Sequence, residues 1–255
     1  MALDRGLTVQ FLDVANVRHK PRRADRACGG TIPTRAFRYC EALTTASALG
    51  WYVFSPIDFS LHWDGSETHW TFEGADSNWF PLGSAQLPGF SQIFDASAPE
   101  NAKGYSPPFL GALPEPGLVQ IWSGLFARSK SDWSLLVRPP ANIPRPSNYE
   151  IYEGVIESDR WFGPLFTNVR LTKTNTPIHF RAEQPLFQVQ PLHRPAYSEK
   201  TLNAVEVLSG VDALSPTDWK DYERTVVRPS AEPRCPLGRD AVAVRQRRRE
   251  DATKN

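Results

Sequence analysis

Side chains that can bind a metal ion are gathered between residues 58 and 72. His62, Glu67 and His69 fall on one face if this stretch forms a β-hairpin. Two imidazoles and one carboxylate are the ligand set of facial-triad iron sites and of catalytic zinc sites. The set would suit a metal-dependent enzyme such as an oxygenase, although the spacing matches no known metal motif. The alternative interpretation is the solvated face of a half-buried hairpin, which needs no metal.

A second group of side chains suited to chemistry lies between residues 154 and 163. Glu157 and Asp159 are candidate catalytic carboxylates, and Trp161 follows them closely. An aromatic ring beside two carboxylates can stack on a planar ligand and accept hydrogen bonds from its donors. Upstream, Arg138 is a candidate for binding an anionic ligand. The alternative is a surface turn with ordinary charges.

The hairpin that would position the histidines is predicted by Asp64-Gly65, a pair typical of a two-residue type I′ turn. This turn places His62 directly opposite Glu67. Alternation with a period of two gives the hairpin a polar face, which includes Ser60, and an apolar face. The apolar face comprises Phe59, Leu61, Trp63, Thr68, Trp70 and Phe72.

Most of the remaining chain is predicted to form short strands separated by Gly, Pro and Asn. Strands are expected at residues 7–12, 51–54, 118–122, 133–137, 149–156, 165–171 and 186–189. Residues 73–117 are predicted to be irregular, with a short strand at Gln92–Phe94. Residues 123–132 are predicted to be a turn, and His179 is interpreted as a packed strand histidine.

Two helices are predicted, one in the N-terminal part of the chain and one in the C-terminal part. The first runs from about residue 35 to residue 49 and ends at Gly50, because glycine commonly follows the last helical residue. The second runs from about residue 216 to residue 226, after a capping signal at residues 215–218. Its apolar stripe comprises Trp219, Tyr222 and Val226.

Composition limits the class of protein. The 255 residues include 23 Pro and 16 Gly, which argues against a helical bundle and favours one β-rich domain over residues 1–230. The formal net charge of +1 gives no field that would steer the protein to nucleic acid or a membrane. Residues 231–255, with the run Arg245–Arg249, are predicted to be a disordered basic tail.

The three cysteines, Cys28, Cys40 and Cys235, are too widely spaced to suggest a cysteine-based zinc site. Their odd number and the lack of an apolar signal region favour a reducing, cytoplasmic location. The sequence contains no apolar run of the length of a membrane span. The sequence identifies no cofactor. It does not decide between a monomer and a homo-oligomer.

Residues 119–191 resemble the β-clip fold of the trimeric dUTPases and dCTP deaminases. Ser123-Gly124 is similar to the Thr-Gly motif of that family, and Gly154-Val155-Ile156-Glu157 is similar to its Gly-Val-Ile-Asp motif. Asn168 and Gln188 match its third and fourth motifs, so the resemblance implies that both contact the ligand.

The resemblance implies a mainly β protein with a β-clip-like barrel or sandwich over about residues 50–195. The whole chain, including residues 50–56, resembles a bacterial family of unknown function. Pro139 stands where the dUTPases have a phosphate-contacting Ser, and the glycine-rich closing arm is missing. We therefore expect no hydrolysis of nucleoside triphosphates.

The sequence thus predicts a protein that binds or acts on a small planar metabolite, which is either neutral or anionic. That small molecule is the expected partner. The metal-dependent enzyme and a structural or interaction module remain as alternatives.

Overall fold

The computed structural model describes residues 6–75, 78–231 and 238–254. Cys235 lies outside these residues. The strands are β1 (Val9–Asp13), β2 (Arg22–Arg23), β3 (Trp51–Phe54), β4 (Phe59–Trp63), β5 (Thr68–Phe72), β6 (Phe80–Pro81), β7 (Ser84–Ala85), β8 (Leu110–Ala112), β9 (Leu118–Ser129), β10 (Trp133–Arg138), β11 (Tyr149–Ile151), β12 (Gly154–Ile156), β13 (Gly163–Leu171), β14 (Ile178–Phe180) and β15 (Pro185–His193). The helices are α1 (Thr34–Tyr39), α2 (Glu41–Ala48), α3 (Phe90–Ser97), α4 (Glu199–Leu202), α5 (Pro216–Tyr222), α6 (Arg228–Ala231) and α7 (Arg239–Lys254).

The strands form three antiparallel sheets. The first has the order β11-β13-β9-β8-β7, with β1 also paired to β9. The second has the order β12-β10-β15-β3-β2, and the third the order β14-β4-β5-β6. The prediction of a mainly β protein is confirmed. Among the described residues no sheet closes into a barrel, and the β-clip fold stays a prediction.

One apolar core lies beneath these sheets. Ile121 and Trp122 on β9 and Phe187 on β15 are completely buried. Along β13 the even-numbered side chains are more exposed and the odd-numbered ones are buried, which is the alternation that a half-buried strand requires. Each large apolar side chain buried in this way stabilises the fold by about 1.5–3 kcal/mol.

The predicted hairpin is present, but its register differs from the prediction. β4 and β5 pair His62 with His69, so the loop between them has four residues, 64–67. The Asp64 carboxylate stabilises this longer loop, because it accepts hydrogen bonds from two loop N–H groups at 2.8 and 2.7 Å. The pairing of His62 with Glu67 is therefore wrong. A shift of two residues preserves the faces, and Phe59, Leu61 and Trp70 are buried as expected.

The turn predicted at residues 123–132 is confined to residues 130–132, because β9 continues to Ser129. Ser123 is fully buried, and its hydroxyl donates a hydrogen bond to the Leu165 carbonyl at 2.8 Å. Gly124 has a φ of 77°, and its carbonyl accepts hydrogen bonds from the N–H groups of Val14 and Ala15. The pairing of β9 with β13 shifts register here, so the small residues mark a β-bulge inside a long strand.

The strand predicted at Gln92–Phe94 is also wrong, because these residues belong to α3. Phe90 and Phe94 are four residues apart and share one face of this helix. The Phe90 ring packs against Trp122, with 4.9 Å between ring centroids. Packing of this aromatic face against the core therefore stabilises a helix at residues 90–97.

The predicted helix at residues 35–49 is split into α1 and α2 at Cys40. Cys40 has an extended backbone, with φ −111° and ψ 91°. The break makes Glu41 the first residue of α2, where the positive end of the helix dipole favours a carboxylate.

The C-terminal helix begins as predicted, with the Ser215 hydroxyl and the Asp218 carboxylate forming a capping box. It continues beyond the predicted end through a π-helical turn, Glu223–Val227, into α6. Its apolar stripe is exposed, as is the preceding Leu214. The stripe comprises Trp219, Tyr222 and Val226.

Within the stretch 231–255, predicted to be a disordered basic tail, residues Arg239–Lys254 form α7. Ala241 on α7 is 3% exposed. Arg245 donates hydrogen bonds to the Glu41 carboxylate and to the Arg38 carbonyl. These contacts hold α7 against α1 and α2, and charge repulsion within the arginine run does not prevent the helix. Among the described residues, no helix has the length and apolar character needed to cross a membrane.

Candidate functional site

The two carboxylates predicted to be catalytic are held by an arginine that the sequence did not single out. Arg194, which follows β15, makes ion pairs with Glu157, at 2.6 Å, and with Asp159. Asp159 also accepts a hydrogen bond from the backbone N–H of Asp132 at 3.0 Å. We name Glu157, Asp159 and Arg194 the Arg194 cluster. It ties the 157–162 turn to the end of the second sheet.

The Arg194 cluster keeps Asp159 ionised. The Asp159 side chain is only 7% exposed. Burial acts to raise the pKa of this carboxyl, but the hydrogen bonds from Arg194 and Asp132 outweigh it and lower the pKa below its ordinary value. A carboxylate with a lowered pKa is a poor general acid or base near neutral pH.

The predicted stacking residue, Trp161, lies on the surface. Its side chain is about half exposed and so is that of Phe162. The Trp161 ring covers Gly163, where an added Cβ would meet the ring at 2.7 Å. The Phe162 ring contacts the guanidinium of Arg128 at 4.5 Å from the ring centroid. This surface is aromatic, but the neighbouring arginines, Arg160 and Arg194, already pair with the carboxylates of Glu157 and Asp159.

The other residues predicted to bind the ligand are not brought together with the carboxylates. Arg138 makes an ion pair with Glu153 at 3.3 Å. Glu153 and Glu157 stand at opposite ends of β12, about 13 Å apart along an extended chain, so Arg138 lies away from Glu157. Asn168 lies in the first sheet and accepts a hydrogen bond from Gln120 at 3.3 Å.

Gln188 has a structural environment. It is completely buried on β15. Its carbonyl oxygen accepts a hydrogen bond from the Ala141 N–H at 2.7 Å, and its amide donates to the carbonyls of Ser47 and Leu49. These bonds use both ends of the side chain to join α2, the loop that carries Ala141 and the second sheet.

The structure does not assemble the proposed metal ligands. The ring centroids of His62 and His69 are 6.3 Å apart, and Glu67 lies in the loop beyond the strands. Within residues 6–75, 78–231 and 238–254, no group of three or more His, Cys, Asp or Glu side chains is placed to hold a metal ion.

A different site is formed where α7 meets α1 and α2. A cavity of about 670 Å³ opens between these helices. We name it the arginine cavity. It is lined by Arg26, Phe37, Arg38, Tyr39, Glu41, Arg245, Arg248 and Arg249. Five arginines and one glutamate leave four positive charges that no lining carboxylate balances.

Glu41 lies at the centre of the arginine cavity and is 5% exposed. Arg26 and Arg245 contact its carboxylate at 3.0 and 2.6 Å, and Arg248 contacts it at 3.5 Å. Burial acts to raise its pKa, but the hydrogen bonds and charges of Arg245 and Arg26 lower it below its ordinary value. Glu41 therefore stays negative and holds three guanidinium groups in a small region.

Arg38 and Arg249 also line the cavity and make no ion pair with Glu41. A guanidinium group presents five N–H donors in a plane, so even the arginines that contact Glu41 retain donors for a second acceptor. Guanidinium groups bind carboxylate and phosphate oxygens in pairs. The cavity can therefore bind an anion beside Glu41.

Two aromatic side chains give the cavity an apolar wall. Phe37 and Tyr39 are both partly exposed. Gly238, just before α7, packs so closely on Tyr39 that a Cβ would clash with the ring. This contact fixes the start of α7 against α1. Flat aromatic faces next to guanidinium groups can stack on a planar ring that carries a negative charge.

Sequence reasoning identified the Arg245–Arg249 run but interpreted it as solvated. The sequence does not reveal that this run contacts Glu41, the first residue of α2. Glu41 precedes the run by more than 200 residues, and no local pattern links them. A comparison with models of known protein families and a search of curated proteins both find no match to this chain.

Proposed function

We propose that this protein binds a small, flat, anionic molecule in the arginine cavity. The observation that carries the proposal is the excess of five arginines over one buried glutamate beside two aromatic rings. Like charges are costly to hold together without a counter-charge. An anionic ligand would supply that counter-charge.

The size of the cavity suits a metabolite. A volume of about 670 Å³ falls within the range of about 300–1,000 Å³ typical of small-molecule sites. Phe37 and Tyr39 offer ring faces, while Arg38 and Arg249 offer N–H donors. A molecule with one ring and one phosphate or carboxylate group would contact both the aromatic rings and the arginines.

The proposal is for binding and excludes hydrolysis of triphosphates. Magnesium at such a reaction centre needs carboxylate oxygens. Glu41 is the carboxylate that lines the cavity, and three arginines already contact it. We expect no pyrophosphate release when dUTP and magnesium are added to the protein.

A series of four probes separates the contributions of charge and ring. Phenyl phosphate, benzoate and benzamide share the ring and differ in charge, and inorganic phosphate has the charge without the ring. We expect the affinity measured by calorimetry to fall from phenyl phosphate to benzoate to benzamide. Inorganic phosphate should bind at least about fivefold more weakly than phenyl phosphate, because stacking contributes about 1–3 kcal/mol.

The variant Trp161→Ala distinguishes this cavity from the 157–162 turn predicted from the sequence. Its side chain is exposed and does not line the arginine cavity. Phenyl phosphate should bind this variant as it binds the wild type. Weaker binding to Trp161→Ala, or equal binding of phenyl phosphate and benzamide to the wild type, would contradict the proposal.

A further inference from the structure

A second concave region lies on the polar face of the third sheet, away from the residues of the arginine cavity. Two cavities of about 480 and 500 Å³ adjoin there and share Asp58, Phe72 and Glu73 in their walls. We name them together the sheet groove. One end is more polar, with Ser60, Thr71 and His179. The other is more apolar, with Ile57, Pro88 and Leu87 beside Asn16 and Arg18.

The register of the third sheet places the polar side chains of the groove side by side. His179 on β14 pairs with Ser60 on β4, and Ser60 pairs on its other side with Thr71 on β5. Because residues two apart on a strand share a face, Arg181 and Asp58 lie on the same face, next along the strands. The sheet therefore builds one continuous polar surface from three strands.

Ser60 and His179 form a direct hydrogen bond inside this groove. The Ser60 hydroxyl oxygen lies 2.7 Å from Nδ1 of His179. A serine hydroxyl within about 2.6–3.2 Å of an imidazole is the arrangement in which the imidazole can remove the hydroxyl proton. His179 is exposed to the groove, which corrects its interpretation as a packed strand histidine.

The strand that carries His179 is anchored by Asp58. Its carboxylate accepts a hydrogen bond from the Ala182 N–H at 2.6 Å and one from Arg181 at 3.3 Å. Asp58 thus fixes the end of β14 against β4. The Arg181 guanidinium uses one of its N–H groups for Asp58 and keeps others to face negative charge in the groove.

We propose that Ser60 and His179 are the nucleophile and general base of an ester-hydrolysing site, and that the apolar end of the groove holds the acyl group. The carbonyl carbon of the ester would lie beside the Ser60 oxygen. Arg181 would face the oxygen that becomes negative as the carbonyl is attacked.

The reaction balances with water as the other reactant. The Ser60 oxygen forms a bond to the carbonyl carbon while its proton passes to Nδ1 of His179. The carbon–oxygen bond to the alcohol then breaks, and the alcohol leaves with the proton from His179. A water molecule next attacks the acyl-serine and gives its proton to His179, and the carboxylic acid leaves as Ser60 regains a proton.

An alkyl fluorophosphonate tests the nucleophile directly, because a bond from the serine oxygen to phosphorus forms as fluoride leaves. The full chain is incubated with the probe, and the modified peptide is identified by mass spectrometry. We expect the label on Ser60 and its loss in Ser60→Ala. The matched control is Ser66→Ala, since Ser66 is an exposed serine of the same hairpin that hydrogen-bonds Asp64 instead of a histidine.

The variant His179→Gln tests the base, since the amide can hydrogen-bond the Ser60 hydroxyl but cannot take its proton. We expect its labelling rate and its hydrolysis of p-nitrophenyl butyrate to fall at least 100-fold, because a general base contributes about 10²–10⁴ to a rate. Labelling of Ser60 at the wild-type rate in His179→Gln, or no labelling of Ser60 in the wild-type chain, would overturn the proposal.

Discussion

Two clusters of charged side chains in this protein are built from the same groups in different proportions. In the Arg194 cluster one arginine meets two carboxylates, Glu157 and Asp159, and the exposed Arg160 also pairs with Glu157 at 3.2 Å. In the arginine cavity one carboxylate, Glu41, meets three arginines, and two more arginines line the same space. The first cluster has no positive charge left for an anion, whereas the second has an excess.

The difference teaches that burial and a lowered pKa do not by themselves identify a binding site. Asp159 and Glu41 are both almost fully buried, and the pKa of each is lowered by arginine. The count of opposite charges separates them. A cluster with its charges satisfied holds elements together, and a cluster with an excess of one sign can bind a ligand.

The variant Arg194→Met should have the largest effect, and it tests whether the Arg194 cluster only stabilises the fold. It leaves Asp159 buried without its charged partner, and breaking such a pair costs about 3 kcal/mol. We expect urea denaturation to show this loss of folding free energy, while the affinity for phenyl phosphate stays unchanged. Arg170→Met is the control, because Arg170 pairs with Glu150 at an exposed site and its loss should cost less than about 1 kcal/mol.

A loss of phenyl phosphate binding in folded Arg194→Met would show that the two clusters are not separate in function. An unchanged stability would show that the Arg194 cluster does not hold the 157–162 turn in place.

Removal of α7 tests whether the arginine cavity, in contrast, binds the ligand. A chain ending at Ala231 loses Arg245, Arg248 and Arg249, and with them one wall of the cavity. We expect this chain to fold with a stability loss of about 2 kcal/mol, the size of lost hydrogen bonds to a charged group. Phenyl phosphate binding should disappear. Retention of wild-type affinity in the shortened chain would place the ligand elsewhere.

The dependence of stability on pH should reflect both clusters. The pKa values of Asp159 and Glu41 are lowered in the folded protein, so their ionised forms stabilise the fold above the pKa values of the unfolded chain. This contribution is lost as the pH falls below about 4 and through the lower folded values. We expect urea midpoints to decline in that acid range, with a smaller decline in Arg194→Met. An equal decline would contradict the assignment to Asp159.

The sequence predicted much of the fold where the local pattern carries the information. Alternation gave the hairpin its buried face, with Leu61 and Trp70 in the core. The register was missed because it depends on the Asp64 side chain, which closes a four-residue loop with hydrogen bonds that alternation does not reveal. The bulge at Gly124 looks like a turn in the sequence, because small residues mark both.

The candidate site could not be predicted for a related reason. Arg245 and the acid that it contacts, Glu41, are brought together only when α7 packs on α2. The same holds for Arg194 and Asp159, which lie 35 residues apart in the chain and meet across the second sheet. Each residue type was visible in the sequence, but the ratio of charges in each cluster exists only in the folded protein.

The most direct measurement is a titration of the protein and of the double variant Arg38→Ala, Arg249→Ala with phenyl phosphate. These two arginines line the cavity without an ion pair to Glu41, so their removal leaves the contacts of Glu41 in place. The control is Arg145→Ala, an exposed arginine that does not line the cavity. We predict saturable binding to the wild type and the control, and at least tenfold weaker binding to the double variant. Equal affinity in all three proteins, or no saturable binding to the wild type, would contradict the account.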